Sequence, residues 1–302
     1  MPHPRNRLSL NPPSDPAPLL RYILILGLLF LFIPPFLFAQ TDDKLICNKV
    51  FSFAFEHRLS QKKPGDIIIT IGKRFLGSPY EEHTLDTGFV ESLTANLHSF
   101  DCVTYVENIL ALAQCVMNNH LSFDQYCAAL ETIRYRGGMR RGYASRLHYF
   151  SEWIRDNEQK GFVRDITRNL HGTPEKKELN YLSTHPALNR FPETDSAMAR
   201  IESIEKELSL LNMYRVSVAD FVRIEPKIGD GDIIAVTTTE EGLDVGHTGF
   251  AIHGADGFLH LLHASESRKK VEVTSERLRQ YLRNHRKDSG VMVIRVLPTP
   301  PR

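Results

Sequence analysis

The hydrophobic positions of this chain change their period about two thirds of the way along. Before residue 212 apolar side chains recur mostly every three or four positions, as one buried face of an α-helix requires. After Tyr214 the apolar residues form short runs separated by glycine-containing turns, a pattern typical of β-strands. Short consecutive strands joined by tight turns predict an antiparallel sheet. Helices followed by a sheet therefore predict an α+β fold.

Each predicted element can be bounded from this pattern and from the residues that start and stop it. Within the helical part, the alternation of Leu93, Ala95 and Leu97 also predicts one strand. The predicted helices cover residues 44–59, 67–75, 102–117, 122–133, 145–157, 196–211 and 275–283, and the predicted strands cover residues 91–98, 214–222, 232–238, 247–253, 258–263 and 291–296.

The helix that begins at Cys102 carries the first candidate chemistry. Asp101 is a favoured N-cap residue, so Cys102 falls in the first helical turn. There the unpaired backbone N–H groups and the helix dipole favour a thiolate, which is the nucleophilic form of cysteine. A buried structural cysteine is the alternative, because free cysteine is among the most often buried residue types.

The N-terminus predicts export. Three arginines precede an apolar run from Tyr22 to Phe38, which ends at Ala39 before a polar stretch. This is the layout of a secretory signal peptide, and we expect cleavage near Ala39, with a membrane anchor as the alternative. Residues 1–39 are then the signal and residues 40–302 one domain, located in the periplasm or cell envelope. The formal net charge of +1 gives no indication of a nucleic-acid partner.

The other cysteines have no catalytic pattern around them. Cys115 and Cys127 lie within apolar helical patterns and are expected to be buried thiols or to form one local bridge, while Cys47 has no assignable role. The charged segment of residues 173–211 is predicted to be an insertion that packs on the core.

A basic, glycine-broken segment follows the fourth predicted helix. Guanidinium groups bind carboxylates and tyrosines stack on sugar or peptide faces, so this segment suits an anionic, partly carbohydrate substrate. An ordinary solvated loop is the alternative. The candidate binding residues are Arg140, Arg141, Tyr143 and Arg146.

A cysteine nucleophile needs a base, and the base needs an orienting partner. His247 opens a predicted strand between Gly246 and Gly249, about 145 residues after Cys102. A hairpin turn centred at Ala255 would set His263 opposite His247, whereas a slip by one residue would separate their faces. A zinc site formed by the cysteine and the two histidines is a less favoured alternative, because the close-spaced paired ligands of structural zinc sites do not occur.

These motifs resemble, in order, those of the NlpC-type papain-like peptidoglycan hydrolases. The resemblance extends from about residue 44 to the C-terminus, and it is greatest to the N-acetylmuramoyl-L-alanine amidase-like branch. Two departures are Val103-Thr104-Tyr105, where the superfamily has small residues after the cysteine, and the insertion. The matching motifs are Gly77-Ser78-Pro79-Tyr80, Asp101-Cys102, Gly231-Asp232-Ile233-Ile234, Val245-Gly246-His247-Thr248-Gly249, His263-Ala264 and the segment of residues 135–156.

The resemblance implies a papain-like fold in which the nucleophile helix packs on the C-terminal antiparallel sheet. It further implies that Cys102 is the nucleophile, His247 the base and His263 the orienting residue, with Tyr80 lining the site. The expected activity is hydrolysis of an amide bond in peptidoglycan, between muramic acid and L-alanine or within the stem peptide, without metal or organic cofactor. Two alternatives remain: a non-catalytic protein that binds envelope glycan or peptide, and an acyltransferase or protease acting on proteins.

Overall fold

The computed structural model describes residues 35–86, 90–185 and 195–298, with side chains from residue 42 onward. The chain divides into two compact units, residues 1–42 and residues 43–302. Most of the predicted signal sequence, up to residue 34, lies outside the described residues. Among the helices of the described part, none has both the length and the apolar character needed to cross a membrane.

The helices predicted from the periodicity are present with shifted ends, and the first begins at Pro35, nine residues before its predicted start at Lys44. Helix α1 is Pro35–Glu56, α2 Pro64–Gly72, α3 Cys102–Met117, α4 Phe123–Arg134, α5 Phe150–Gln159, α6 Tyr181–Thr184, α7 Asp195–Ser209, α8 Phe221–Ile224 and α9 Leu278–Asn284. Helix α5 begins five residues later than predicted, because a 3₁₀ turn over Tyr143–Ser145 and an extended Arg146 precede it.

The strands form one antiparallel sheet. They are β1 Val163–Asp165, β2 Thr173–Glu175, β3 Met213–Ser217, β4 Ile233–Thr238, β5 Val245–His253, β6 Leu259–Ser265, β7 Lys270–Val273 and β8 Asp288–Val296. Their order across the sheet is β2-β3-β8-β4-β5-β6-β7, with β1 also paired to β8. Together with the helices, this confirms the predicted α+β arrangement.

The sheet separates two hydrophobic cores. Phe250, Leu262 and Ala264 pack in the larger core with helices α1 to α5, whereas Ala251 and Leu261 face a smaller core that contains α8 and α9. Since side chains alternate along a strand, His247 and His263 point to the face covered by α9.

Two predicted strands are wrong in part or in full. Residues 91–98 are irregular: Asp43 accepts the Leu97 backbone N–H at 2.7 Å, and Arg134 donates to the Thr94 carbonyl at 2.7 Å. Side chains thus bind backbone groups that a neighbouring strand would otherwise pair. The strand predicted for residues 214–222 ends at Ser217, whose hydroxyl forms a turn with Asp220 that leads into α8.

The segment of residues 173–211 packs on the core where the structure describes it. Strand β2 adds to the sheet edge beside β3, and helix α7 buries Ile201 and Ile204. The buried Glu205 accepts the hydroxyl of Tyr149 at 2.7 Å. The segment therefore extends the fold on the side formed by α5 and the β2 end of the sheet.

Candidate active site

Cys102 is held at the start of α3 by the chemistry of the residues around it. The Asp101 carboxylate accepts the Thr104 backbone N–H at 2.7 Å, and the Thr104 hydroxyl accepts the Asp101 N–H at 2.9 Å. This reciprocal capping box fixes the first turn, as the N-cap prediction requires. Cys102 is the first residue of the helix and is partly accessible to solvent.

Opposing effects set the ionisation of Cys102. Burial in the surrounding protein and the charge of Asp101 raise the pKa of the thiol to about 12. The backbone N–H groups of Thr248, Cys102 and Val103 act in the other direction, because they stabilise a thiolate. The predicted effect of the helix N-terminus is present, but it is outweighed, so the resting residue is a thiol.

The backbone of Thr248 lies beside Cys102, which brings the start of α3 next to β5. The ladder between β5 and β6 runs from the His253–Leu259 pair to the Phe250–Leu262 pair. Beyond that end, the Thr248 backbone N–H lies close enough to Cys102 to lower the pKa of the thiol. Since Thr248 directly follows His247, the backbone next to the base candidate approaches the nucleophile candidate.

His247 and His263 contact each other, although the predicted turn centre is wrong. The observed register centres the hairpin on Asp256, one residue later than predicted, so Gly249 rather than His247 lies opposite His263. Moving the turn centre by one residue moves the partner of His263 by two residues, from His247 to Gly249. Because side chains alternate with a period of two, both histidines stay on one face. His247 Nε2 lies 2.6 Å from His263 Nδ1 in a diagonal contact.

Gly249 makes this diagonal contact possible. A Cβ atom at residue 249 would lie 2.8 Å from the Cβ of His263 and 2.9 Å from the carbonyl oxygen of Leu262. The missing side chain therefore lets β6 approach closely enough for the His263 ring to reach His247.

Both histidines are neutral at neutral pH. Burial lowers the pKa of His247 to about 4, with a further contribution from the charge of His285. Burial and the neighbouring His247 lower the pKa of His263 to about 2. His263 Nε2 is buried and has no hydrogen-bond partner among the described residues.

Tyr80 lies near the cysteine, as the resemblance implied. Its backbone forms a bridge with Phe100, two residues before Cys102. Burial raises the pKa of the Tyr80 hydroxyl, and the charge of Cys102 adds to that shift. The phenol therefore remains protonated over the working pH range of most proteins.

The candidate binding residues of the basic segment divide into two groups. Arg146 is buried and forms salt bridges with Asp86 and Glu91, both at 3.0 Å, so its guanidinium is already paired. Tyr143 is buried beneath it. Arg140 and Arg141 are exposed, and Arg140 lies 3.7 Å from the Glu131 carboxylate and donates to the Glu91 carbonyl at 3.2 Å.

The remaining cysteines are free thiols with raised pKa values. Burial is the largest cause in each case, and it raises the pKa of Cys115 to about 12 and that of Cys127 to about 11. Cys47 is fully buried in the same core. Cys115 is the buried thiol that was expected, whereas Cys127 is only partly buried. Within the described ranges, no three His, Cys, Asp or Glu side chains converge in a group that could hold a metal ion.

Sequence reasoning did not single out Thr248 and Tyr281. Thr248 acts through its backbone N–H, which any residue type could supply. Tyr281 lies on α9 and contacts both histidine rings, but the sequence carries no pattern that ties this helix to β5 and β6.

Comparison with known proteins gives consistent matches. The N-acetylmuramoyl-L-alanine amidase-like family model matches residues 70–291. An N-acetylmuramoyl-L-alanine amidase from Bacteroides uniformis ATCC 8492 is 36% identical, and the alignment covers 78% of this chain and 100% of that chain with a TM-score of 0.73. A search of curated proteins finds no match.

Two further structures show the same fold. A Bacteroides fragilis protein, provisionally named a xylanase, is 37% identical over 74% of this chain and 99% of that chain, with a TM-score of 0.69. A Legionella pneumophila protein is 22% identical over 87% of this chain and 97% of that chain, with a TM-score of 0.65. At 22% identity, the likeness to the Legionella pneumophila protein concerns the fold alone.

Proposed function

Because the chain belongs to the N-acetylmuramoyl-L-alanine amidase-like family, we propose that it is an exported cysteine hydrolase that cleaves the amide bond between N-acetylmuramic acid and L-alanine in peptidoglycan. Family membership supports the amidase class. The cysteine mechanism, the bond and the location are the parts that we add.

One observation carries the mechanism: His247 Nε2 contacts His263 Nδ1 at 2.6 Å, while the backbone N–H of the next residue, Thr248, lies close enough to Cys102 to lower the pKa of its thiol. With Nε2 directed at His263, the Nδ1 atom of His247 is left to receive the thiol proton. This role fixes the tautomer, because His247 Nε2–H must then donate to His263 Nδ1. His263 thereby orients the base without exchanging a proton with substrate.

The proposed reaction has two steps. Cys102 transfers its proton to His247 as its sulfur bonds to the carbonyl carbon of the muramic acid lactyl group. The backbone N–H groups that face Cys102 stabilise the oxyanion, and His247 protonates the departing α-amino group of L-alanine. Water then attacks the thioester, with His247 accepting its proton. The carbon–sulfur bond breaks, which regenerates the thiol and releases muramic acid with a free carboxylate.

The neutral states of Cys102 and His247 suit this order of steps. A thiol with a raised pKa and an imidazole with a lowered pKa hold no charge at rest. We infer that the thiolate–imidazolium pair forms only as the substrate is attacked. Alkylation of Cys102 should accordingly be slow near neutral pH in the free enzyme.

The fold and location follow from the same proposal. The nucleophile helix α3 packs against β5 and β6, which supports a papain-like arrangement. The basic and apolar N-terminus supports a signal peptide over residues 1–39, a single mature domain over residues 40–302 and a place in the periplasm or cell envelope.

The provisional name of the Bacteroides fragilis protein raises glycoside hydrolysis as a second possibility. That reaction generally uses a pair of carboxyl groups on either side of the scissile bond. Beside Cys102 the nearby carboxylate, Asp101, is bound to Thr104 as a helix cap, and the groups that face each other are two imidazoles. Acyl transfer fits these groups better.

Digestion of defined muropeptides, analysed by mass spectrometry, tests the proposal. We expect N-acetylmuramic acid with a free lactyl carboxylate and an intact stem peptide that begins with L-alanine. Cleavage within the stem peptide would assign the endopeptidase alternative. Binding without any product would favour the non-catalytic alternative. Cys102→Ala serves as the negative control, and Cys115→Ala is the matched cysteine control, because Cys115 lies in the same helix and is buried.

A further inference from the structure

Tyr281 lies against the histidine pair on the face of the sheet that α9 covers. Its ring centroid is 6.2 Å from that of His247 and 5.7 Å from that of His263. The two histidine rings are 4.8 Å apart at an interplanar angle of 88°. These centroid distances fall within the range in which aromatic rings attract one another, so the three rings form one packed cluster.

Helix α9 holds Tyr281 in place. Leu278 and Leu282 of this helix are fully buried in the smaller core. Tyr281 lies between them on the side that faces the sheet, because residues three and four apart share a helical face. The ring of His285 lies against it, with centroids 4.3 Å apart and an interplanar angle of 39°.

The hydroxyl of Tyr281 does not explain this placement. Among the described residues, none forms a hydrogen bond with it, although burial raises the pKa of the hydroxyl and keeps it protonated. The contacts that Tyr281 makes with the site are made by its ring. The ring is tilted by 36° from the plane of His247 and stands nearly perpendicular, at 82°, to the ring of His263.

We propose that Tyr281 is a positioning residue whose ring holds His247 and His263 in the mutual orientation needed for proton transfer from Cys102. The proposal rests on the cysteine mechanism above. Without the ring, the base keeps its hydrogen bond to His263 but gains freedom to turn away from the thiol. Since small displacements of a catalytic group reduce the rate strongly, loss of the ring should act on kcat.

Substitutions of Tyr281 separate the ring from the hydroxyl. We expect Tyr281→Phe to retain nearly wild-type kcat, and Tyr281→Leu to lose on the order of tenfold to a hundredfold in kcat with little change in KM. Alkylation of Cys102 by iodoacetamide should slow in the leucine variant and recover in the phenylalanine variant. A thermal melt checks folding, and Tyr281→Met replaces the leucine variant if that one melts early.

The chain provides a matched control at another site. Tyr181 and His185 form a similar pair one helical turn apart, with centroids 4.3 Å apart and His185 Nδ1 bound to the Tyr181 carbonyl, as His285 Nδ1 is to the Tyr281 carbonyl. Among the described residues, the Tyr181 ring contacts neither His247 nor His263, so Tyr181→Leu should leave kcat and alkylation unchanged.

Specific outcomes would overturn the inference. Wild-type kcat in Tyr281→Leu, an equal loss in Tyr281→Phe, or an equal loss in Tyr181→Leu would each do so. Cys102→Ala and His247→Ala are measured in the same assay. If Cys102→Ala stays active, the proposed function itself fails, whereas inactive Cys102→Ala beside fully active Tyr281→Leu refutes only the role of Tyr281.

Discussion

A single added methyl group at Gly249 tests whether the close approach of β5 and β6 creates the histidine pair. In Gly249→Ala the new Cβ would lie 2.8 Å from the Cβ of His263 and 3.0 Å from the Cγ of Leu261. Comfortable contacts between carbon atoms are about 3.5–4.0 Å. One strand therefore has to move by about 1 Å, and His263 moves with it.

The size of the effect follows from that displacement. Overpacking of a buried site costs about 1–3 kcal/mol, which corresponds to a decrease in Tm of about 2–12 °C for a domain of this size. A displacement of about 1 Å in the orienting residue can lower kcat by about a hundredfold. The loss of activity should thus be larger than the loss of stability would explain at assay temperature.

The assay compares Gly249→Ala with Gly246→Ala, its counterpart on the other side of His247. A Cβ at residue 246 would meet only the Thr238 side chain, at 3.3 Å, so this variant should remain close to wild type in Tm and kcat. Full activity of Gly249→Ala, or an equal loss in Gly246→Ala, would refute the argument that the glycine is needed for the diagonal contact.

Further variants test the remaining contacts of the site. Activity should fall in the order wild type, His263→Asn, His263→Ala and His247→Ala, because asparagine can still form one hydrogen bond. Equal activity of His263→Ala and wild type would reduce the triad to a dyad. Asp101→Asn keeps a helix cap but removes a charge that raises the pKa of Cys102, so iodoacetamide should label Cys102 faster in this variant than in the wild type. Asp101→Ala also removes the cap, so its free energy of unfolding should fall by about 1 kcal/mol. The double variant Arg140→Ala/Arg141→Ala should raise KM, and an unchanged KM would make the segment an ordinary basic loop. Arg146→Ala should lower the free energy of unfolding by about 3–5 kcal/mol, because it removes the buried guanidinium that pairs with Asp86 and Glu91. Burial lowers the pKa values of His148, His247 and His263, so the unfolded chain binds more protons than the folded chain below about pH 6.5. The Tm should therefore fall as the pH is lowered from about 6.5 towards 4. A flat Tm over this interval would contradict the lowered pKa values of these histidines.

The elements that the sequence predicted well depend on local chemistry. Helix α3 begins at the predicted residue because its cap is made by Asp101 and Thr104, three positions apart. Helix α4 follows Ser122 for the same reason. The fold class could be predicted because the change of hydrophobic period is itself a local property of the chain.

The errors concern contacts between distant residues. The alternation in residues 91–98 suggested a strand, but Asp43 and Arg134 bind its backbone from elsewhere in the chain. Arg146 looked like a substrate ligand until the structure placed two carboxylates against it. The hairpin register depended on a turn in which Gly254 pairs with Phe258, and this turn type could not be chosen from residues 254–257 alone.

The sequence named candidate site residues but could not predict how they pack. Cys102 and the two histidines could be named from motif order, and the alternation of a strand kept both histidines on one face even though the register differed. The position of Tyr281 could not be predicted, because it depends on how α9 docks on the sheet through Leu278 and Leu282.

The most direct test of the account is to trap the covalent intermediate. The enzyme is mixed with a muropeptide, quenched in acid, digested and mapped by mass spectrometry. We expect the muramoyl group as a thioester on the peptide that contains Cys102, and no adduct and no product in Cys102→Ala. A stem-peptide acyl group on Cys102, an adduct on Cys47, Cys115 or Cys127, or full turnover by Cys102→Ala would contradict the proposed mechanism.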